Sequence, residues 1–154
     1  MSYIYQEYSR YFAQVAHPIE QLAAEELEEL GATEVEPAYR GGHFDATPEV
    51  LYGIVYQARI PTRVLVPLMT FDCHSDNYLY QRAQELDWMS LIGVDKTFAI
   101  FATVAHSRIQ HSKYAALKLK DAIVDSIRDQ VGSRPSVERR NPDVSLNLHI
   151  DNNR

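Results

Sequence analysis

The 154-residue sequence lacks several features that commonly identify a function. No apolar run approaches the roughly 18 residues needed to cross a membrane, and residues 1–10 have neither the basic start nor the apolar stretch of a signal peptide. The single cysteine, Cys73, excludes an internal disulfide framework and a cysteine-based zinc cluster. The glycines form no Gly-x-Gly, so a glycine-rich nucleotide-binding loop is missing. We therefore expect a soluble, cytosolic protein outside the enzyme classes that such motifs identify.

The composition, with 45% hydrophobic and 23% charged residues, suffices for one ordinary domain or two small ones. The net charge of −6 hides an asymmetry along the chain. Residues 1–92 contain five Lys and Arg against fourteen Asp and Glu, whereas residues 93–154 contain ten against seven. This pattern indicates two modules, of which the second is the one expected to meet a polyanion.

The first module, residues 10–72, shows a β-α-β-β-α-β order, which is typical of a ferredoxin-like fold. The predicted elements are a strand at Tyr11–Ala16, a helix from Ile19 to Leu30 with an acidic outer face, two strands around a turn at Gly41-Gly42, a helix from Pro48 to Ala58, and a strand at Arg63–Phe71. In the second helix we expect Val55 on the buried stripe. Tyr52 and Tyr56 are expected in the core or at its rim.

The second module, residues 73–154, is expected to contain a helical stretch from Ser75 to Ile92, a strand at Thr97–Ala105 covered on both faces, a helix from Ser112 to Val131, and a half-buried strand at Val144–Ile150. Asp151-Asn152-Asn153 has the chemistry of a turn that begins a hairpin, yet no partner strand follows it. We therefore expect a fragment of a longer protein that self-associates through an open strand edge.

Three groups of polar residues invite a catalytic interpretation that the pattern does not favour. His106 and His111 have no carboxylate or thiolate at a recognisable metal-ligand spacing. Asp121, Asp125 and Asp129 recur at every fourth position, which is more typical of a solvated helix stripe than of acid–base chemistry. The segment Asn141-Pro142-Asp143 lacks the second proline and the aromatic residue of a methyltransferase Asn-Pro-Pro-aromatic loop. Cys73 is expected to be a buried small hydrophobe.

The basic residues of the second module are better candidates. Arg108, Lys113, Lys118 and Lys120 lie in or just before the long helix, and Arg134, Arg139 and Arg140 lie in the loop after it. Several cations on rigid backbone near a helix start suit phosphate contacts. Solvation of an exposed helix face explains the spacing equally well. Lys118 lies in the middle of the helix, where a charge reversal is expected to leave the fold intact.

Three segments carry a resemblance to a known family. They are the run His106–Asp125 (HSRIQHSKYAALKLKDAIVD), the segment Asn141–Val144 (NPDV) and the turn Arg40–Phe44 (RGGHF). Together they resemble the ferredoxin-like and THUMP region of bacterial large-subunit ribosomal RNA guanine-N2 methyltransferases, over residues 10 to 150. The resemblance implies an α+β chain with a ferredoxin-like module at 10–72 and a THUMP domain at 73–154 that lacks its C-terminal strand. A THUMP start near residue 50 stays open.

The resemblance further implies a front end that captures structured RNA, expected to be ribosomal, for a separate S-adenosylmethionine-dependent catalytic domain. That domain is absent here, so the chain itself is expected to have no catalytic, cofactor or metal residues and no methyltransferase activity. The RNA contacts implied are Lys113, Lys118 and Lys120, followed by Arg108, Arg139 and Arg140.

Contact through shape and backbone charge is expected, because no cluster of exposed aromatics accompanies these cations. The alternative is a ferredoxin-like module that docks a partner protein and has no RNA role. Salt-dependent RNA binding separates the two.

Overall fold

The computed structural model describes residues 3–154 and divides the chain into two units, with the boundary between Thr70 and Phe71. The first unit contains α1 (Ile4–Tyr8), β1 (Arg10–Gln14), α2 (Glu20–Glu29), β2 (Thr33–Ala38), β3 (Gly41–Asp45), α3 (Pro48–Gln57) and β4 (Arg63–Leu65). Its strands form an antiparallel sheet in the order β2-β3-β1-β4. The predicted ferredoxin-like arrangement is confirmed.

Alternation of side chains along β1 directs Tyr11 and Ala13 into the core of this unit. They pack there with Phe44 of β3, Leu27 of α2 and Ile54 of α3, and all five side chains are buried. The buried side of α3 is narrower than predicted. Its outer face exposes 74% of Tyr52, 63% of Val55 and 90% of Tyr56, so the expectation that these three side chains are buried or at the core rim is wrong.

The last strand of the first unit is shorter than the predicted Arg63–Phe71, because β4 pairs with β1 only from Arg63 to Leu65. The carbonyl oxygens of Pro67 and Leu68 instead accept hydrogen bonds from the backbone N–H groups of Tyr5 and Ile4, at 3.1 and 3.2 Å. These donors belong to the start of α1, a helix that has no apolar periodicity long enough to be predicted. The helix start takes the acceptors that a longer strand would have used.

The second unit contains α4 (Asp76–Ala83), α5 (Trp88–Leu91), β5 (Thr97–Ala105), α6 (Ser112–Val131), β6 (Ser136–Val137) and β7 (Val144–Asp151). Its strands are parallel, in the order β6-β5-β7, and the short β6 was not predicted. The long helix α6 begins and ends where it was predicted, and Gly132 ends it in a left-handed conformation. In the part of the chain that the structure describes, no helix is both long and apolar enough to cross a membrane.

The predicted helical stretch from Ser75 to Ile92 is divided into α4 and α5. Asp87 begins the second helix, since its carboxylate accepts a hydrogen bond from the backbone N–H of Ser90 at 3.1 Å. The indole N–H of the buried Trp88 donates to the carbonyl oxygen of Ala83 at 2.6 Å, which satisfies the end of α4. Local capping therefore outweighs the continuous helical periodicity.

The two long strands differ in how far they match the sequence pattern. β7 alternates as predicted, with Ile150 buried and its neighbours partly exposed. β5 is covered on both faces only near Phe98 and Ala99, while Phe101 is 41% exposed, so the prediction of complete coverage is wrong. A three-stranded sheet with one long helix has too little structure to cover every residue of its middle strand.

The chain after β7 forms the predicted turn. Asp151 and Arg154 exchange two backbone hydrogen bonds of 2.9 and 3.0 Å, and Asn152 and Asn153 have φ values of 50° and 61°. Two successive positive φ values are the geometry of a type I′ hairpin turn, in which asparagine is favoured. β7 pairs with β5 and forms one edge of the sheet.

The boundary between the units changes the charge asymmetry. Residues 1–70 contain four Lys and Arg against ten Asp and Glu, and residues 71–154 contain eleven of each. The acidic residues between positions 71 and 92 belong to the second unit, which is therefore neutral overall. An attraction for polyanions has to come from a local grouping of its cations.

Candidate nucleic-acid interface

A cleft of about 320 Å³ lies on the second unit, between the first half of α6 and the strands β5 and β6. Helical residues three and four positions apart share a face, so the spacing of Lys113, Ala116 and Lys120 directs all three toward this cleft. We call it the basic cleft. Its lining consists of Phe98, Ile100, Phe101, Ala102, Ser112, Lys113, Ala116, Leu117, Lys120, Val137 and Arg139.

Three of the six predicted RNA contacts, Lys113, Lys120 and Arg139, line the basic cleft. Among residues 3–154, the side chains of Lys113 and Arg139 have no hydrogen bond or ion pair, and both are exposed. Lys120 pairs with Asp121 at 2.8 Å, which partly offsets its charge. Arg140 follows Arg139 in the same loop and is also exposed. The tertiary structure thus brings together cations that lie 26 positions apart in the sequence.

The floor of the basic cleft is apolar. Phe98 is fully buried, whereas 41% of Phe101, 44% of Leu117 and 48% of Val137 remain exposed. Phe101 therefore places one partly exposed aromatic ring beside the cations, which is not a cluster of the kind whose absence was expected. The cleft combines cations for phosphate groups with an apolar surface that fits the face of a base or ribose.

Lys118 lies on a different side of α6, in contact with α4. Its Nζ atom is 3.6 Å from the Oδ2 atom of Asp76 and 5.8 Å from the ring centre of Tyr80. Only 26% of the Lys118 side chain is exposed. Lys118 therefore joins α6 to α4. The expectation that its charge reversal leaves the fold intact stays a prediction, and the contact with Asp76 argues against it, because the new carboxylate would face that of Asp76.

Arg108 lies in a second, polar cleft of about 360 Å³ on the same unit. We call it the polar cleft, and its lining consists of His74, Ser75, Asp76, Arg108, Ile109, Gln110, His111 and Tyr114. The Tyr114 hydroxyl donates to an Oδ2 atom of Asp76 at 2.8 Å, and this hydrogen bond is the main cause of the lowered pKa of Asp76. Sequence reasoning missed His74 and Tyr114, because only the tertiary structure places α4 beside the start of α6.

The remaining candidates have structural roles. His106 contacts Asp151 at 3.0 Å, and the Asp143 carboxylate accepts from the backbone N–H and the hydroxyl of Thr97 at 2.8 and 2.9 Å. Asp125 is half-buried and accepts from the Tyr80 hydroxyl at 2.8 Å, a bond that raises the pKa of Tyr80. The solvated-stripe interpretation is therefore wrong for Asp125. Cys73 is 2% exposed, as predicted, and burial raises its pKa.

The second unit coincides with a known domain. A model of the THUMP domain matches residues 73–154, more than half of the chain. The chain belongs to the THUMP-domain family. A second model, described as the RlmL ferredoxin-like domain, matches residues 10–65. Both matches agree with the architecture described above and with the resemblance found in the sequence.

Solved structures of other proteins share this fold. A predicted N6-adenine-specific DNA methylase from Listeria monocytogenes is similar with a TM-score of 0.78 at 16% identity, over 94% of this chain. SMU.472, described as a methyltransferase and complexed with SAH, is similar with a TM-score of 0.77 at 18% identity, also over 94% of this chain. A 4-thiouridine synthetase in complex with RNA and ATP is similar over 94% of this chain, with a TM-score of 0.59 at 13% identity. The THUMP-domain chain spans 38% of the first of these proteins and 39% of the other two.

Proposed function

We propose that this THUMP-domain chain is the RNA-recognition part of an RNA methyltransferase and that the basic cleft contacts the RNA. The observation that carries the proposal is the grouping of Lys113, Lys120 and Arg139 around one cleft of a unit that is otherwise neutral. Phosphate groups would meet these cations, while the exposed side of Phe101 offers an apolar surface to a nucleoside. The family membership and the shared fold with methyltransferases support the same role.

The finer proposal follows from the resemblance of the sequence. We propose that the target is a guanine N2 atom in large-subunit ribosomal RNA and that the protein acts in the cytoplasm. A separate catalytic domain would bind S-adenosylmethionine and carry out the transfer. Support for the cofactor comes from SMU.472, which is complexed with SAH.

The test is a binding assay of the chain with a structured ribosomal RNA fragment at two salt concentrations. Each phosphate that a cation neutralises releases condensed counterions, so affinity should fall as salt rises. Replacing both Lys113 and Arg139 by Glu should weaken binding by about 10- to 100-fold at low salt and make it less salt-dependent. Both side chains are exposed and free of partners among residues 3–154, so the variant should keep its circular dichroism spectrum.

The matched control is Arg134→Glu. Arg134 is exposed in the same unit but follows the C-terminal end of α6, about 30 Å along the helix from its start, and it does not line the basic cleft. Its reversal changes the net charge by two units, as Lys113→Glu alone does, and should lower affinity much less than that single cleft variant. Equal losses in the control and the cleft variant would indicate a general charge effect, and the basic cleft would no longer be the contact site.

A protein-docking function is the second candidate, and one observation favours it. Tyr52, Val55 and Tyr56 form a largely exposed face on α3 of the first unit. Large apolar side chains that are exposed side by side are more typical of a contact surface than of a solvated helix. RNA binding that is absent, or that ignores salt, would favour this candidate over RNA recognition.

A further inference from the structure

The polar cleft is the strongest site that the proposed RNA contacts of the basic cleft leave unused. Its residues lie on the opposite side of the first turn of α6. His111 and Tyr114 face the polar cleft, whereas Ser112 and Lys113 face the basic cleft. A polymer that crosses the start of this helix would therefore meet both clefts in succession.

The loop that carries Arg108 is held in place by the turn after β7. The side-chain oxygen Oδ1 of Asn153 accepts a hydrogen bond from the Arg108 backbone N–H at 2.8 Å and another from the Ser107 hydroxyl at 3.2 Å. The Asn153 carbonyl oxygen accepts from the backbone N–H of Cys73, which precedes His74, at 2.5 Å. One residue thus ties together the two segments that bring Arg108 and His74 to the polar cleft.

Two charged side chains line the polar cleft, Asp76 and Arg108, and only the carboxylate has partners among residues 3–154. Asp76 is its one carboxylate, and this group is already bound by the Tyr114 hydroxyl at 2.8 Å and by the Lys118 ammonium at 3.6 Å. The Arg108 side chain has no hydrogen bond or ion pair among residues 3–154. His74 and His111 are both exposed and can add positive charge when they are protonated.

We propose that the polar cleft is a second phosphate-binding position of the RNA site, in which Arg108 provides a permanent charge and His74 and His111 provide charges that depend on pH. The inference rests on the proposed RNA function and extends it. The phosphate would be a phosphodiester of the same RNA strand that occupies the basic cleft. RNA affinity should therefore rise on acidification, because protonated imidazoles donate charge-assisted hydrogen bonds to phosphate oxygens.

The experiment measures RNA affinity of the chain at about pH 7.5 and about pH 6, a range over which histidine side chains in general gain charge. The wild-type chain should bind about fivefold more tightly at the lower pH. The double variant His74→Asn/His111→Asn should lose this gain, so that its affinity is the same at both pH values and below that of the wild type at the lower one. Arg108→Ala should weaken binding at both values and lower the salt dependence by about one phosphate contact.

The matched control is His149→Asn, since His149 is exposed on β7 of the same unit and does not line the polar cleft. This variant should keep the full response to pH. If the double variant still responds to pH, or if the wild type does not respond, the second phosphate position is overturned and the basic cleft remains the RNA site.

A titration with inorganic phosphate, followed by nuclear magnetic resonance of the histidine rings, separates failure of this inference from failure of the RNA function. Saturable shifts of His74 and His111, without a shift of His149, would support the phosphate position even if no RNA binds. Shifts that are absent, or equal at all three rings, would exclude it.

Discussion

The buried carboxylate of Glu26 should be a main determinant of the stability of the first unit. It is 6% exposed on α2, and its two oxygens accept hydrogen bonds from the backbone N–H groups of Arg59, at 3.0 and 3.2 Å, and Ile60, at 2.9 Å. The Arg59 guanidinium adds a contact of 3.3 Å but is 86% exposed, so the backbone bonds carry the effect. They join α2 to the chain that leaves α3.

Replacing Glu26 by Ala would leave the N–H groups of Arg59 and Ile60 without partners. These hydrogen bonds are only partly buried, so water can replace part of the lost acceptor, and we expect the free energy of unfolding to fall by about 2 kcal/mol. The Gln variant keeps one carbonyl oxygen and turns an N–H group toward the second donor. It should therefore lose about half as much.

Urea unfolding followed by far-ultraviolet circular dichroism measures these differences. Trp88, the only tryptophan, lies in the second unit, so its fluorescence follows that unit separately. The matched control is Glu25→Ala, an exposed neighbour on α2 whose change should stay within about 0.5 kcal/mol. Identical transitions for the Glu26→Ala and Glu25→Ala variants would refute the argument.

The stability of the first unit should depend on pH in a direction that follows from the pKa of Glu26. Burial raises the pKa of Glu26, but the hydrogen bonds from Ile60 and Arg59 together lower it by more, so the pKa of Glu26 lies below its ordinary value. A carboxyl with a lowered pKa contributes stability above its unfolded pKa, and this contribution is lost as pH falls through the folded pKa. The difference in stability between the wild type and Glu26→Gln should therefore shrink at acidic pH, and a constant difference would contradict this assignment.

Three further predictions concern other parts of the chain. Lys118→Glu should lower the thermal stability of the second unit through repulsion from Asp76, while Lys118→Met should keep the packing and lower that stability less. Equal melting temperatures of the two variants, measured by Trp fluorescence, would argue against this contact. Gly41→Ala should destabilise β3, because a Cβ atom there would clash with the Phe12 ring and the Ala13 carbonyl. In contrast, a Cβ atom at Gly53 on α3 would meet no atom within 4 Å, so Gly53→Ala should stabilise the helix by about 0.5 to 1 kcal/mol. Self-association through the edge of β7 should appear in light scattering as a mass that rises with concentration, and a concentration-independent monomer would exclude it.

The sequence by itself determined the order of the main elements and the nature of both units, but it did not predict α1, β6 or the division between α4 and α5. Apolar periodicity defined α6 to the residue, because its buried positions recur every three to four residues and Gly132 supplies the left-handed end. The alternation of β7 and the turn after it were equally clear, since both depend on neighbouring residues. The resemblance of residues 106–125 and 40–44 identified the family that the domain models confirm.

Only the tertiary structure decided which polar side chains meet. Lys113 and Lys118 lie five positions apart on one helix, yet one lines the basic cleft and the other pairs with Asp76 on α4. No local pattern separates them, because the difference depends on which side of α6 a distant element packs. The same holds for Glu26, whose acidic neighbours are solvated while its own carboxylate accepts hydrogen bonds from residues 33 and 34 positions away. Local spacing specifies helices and strands, whereas the environment of a charge is set by contacts between residues far apart in the chain.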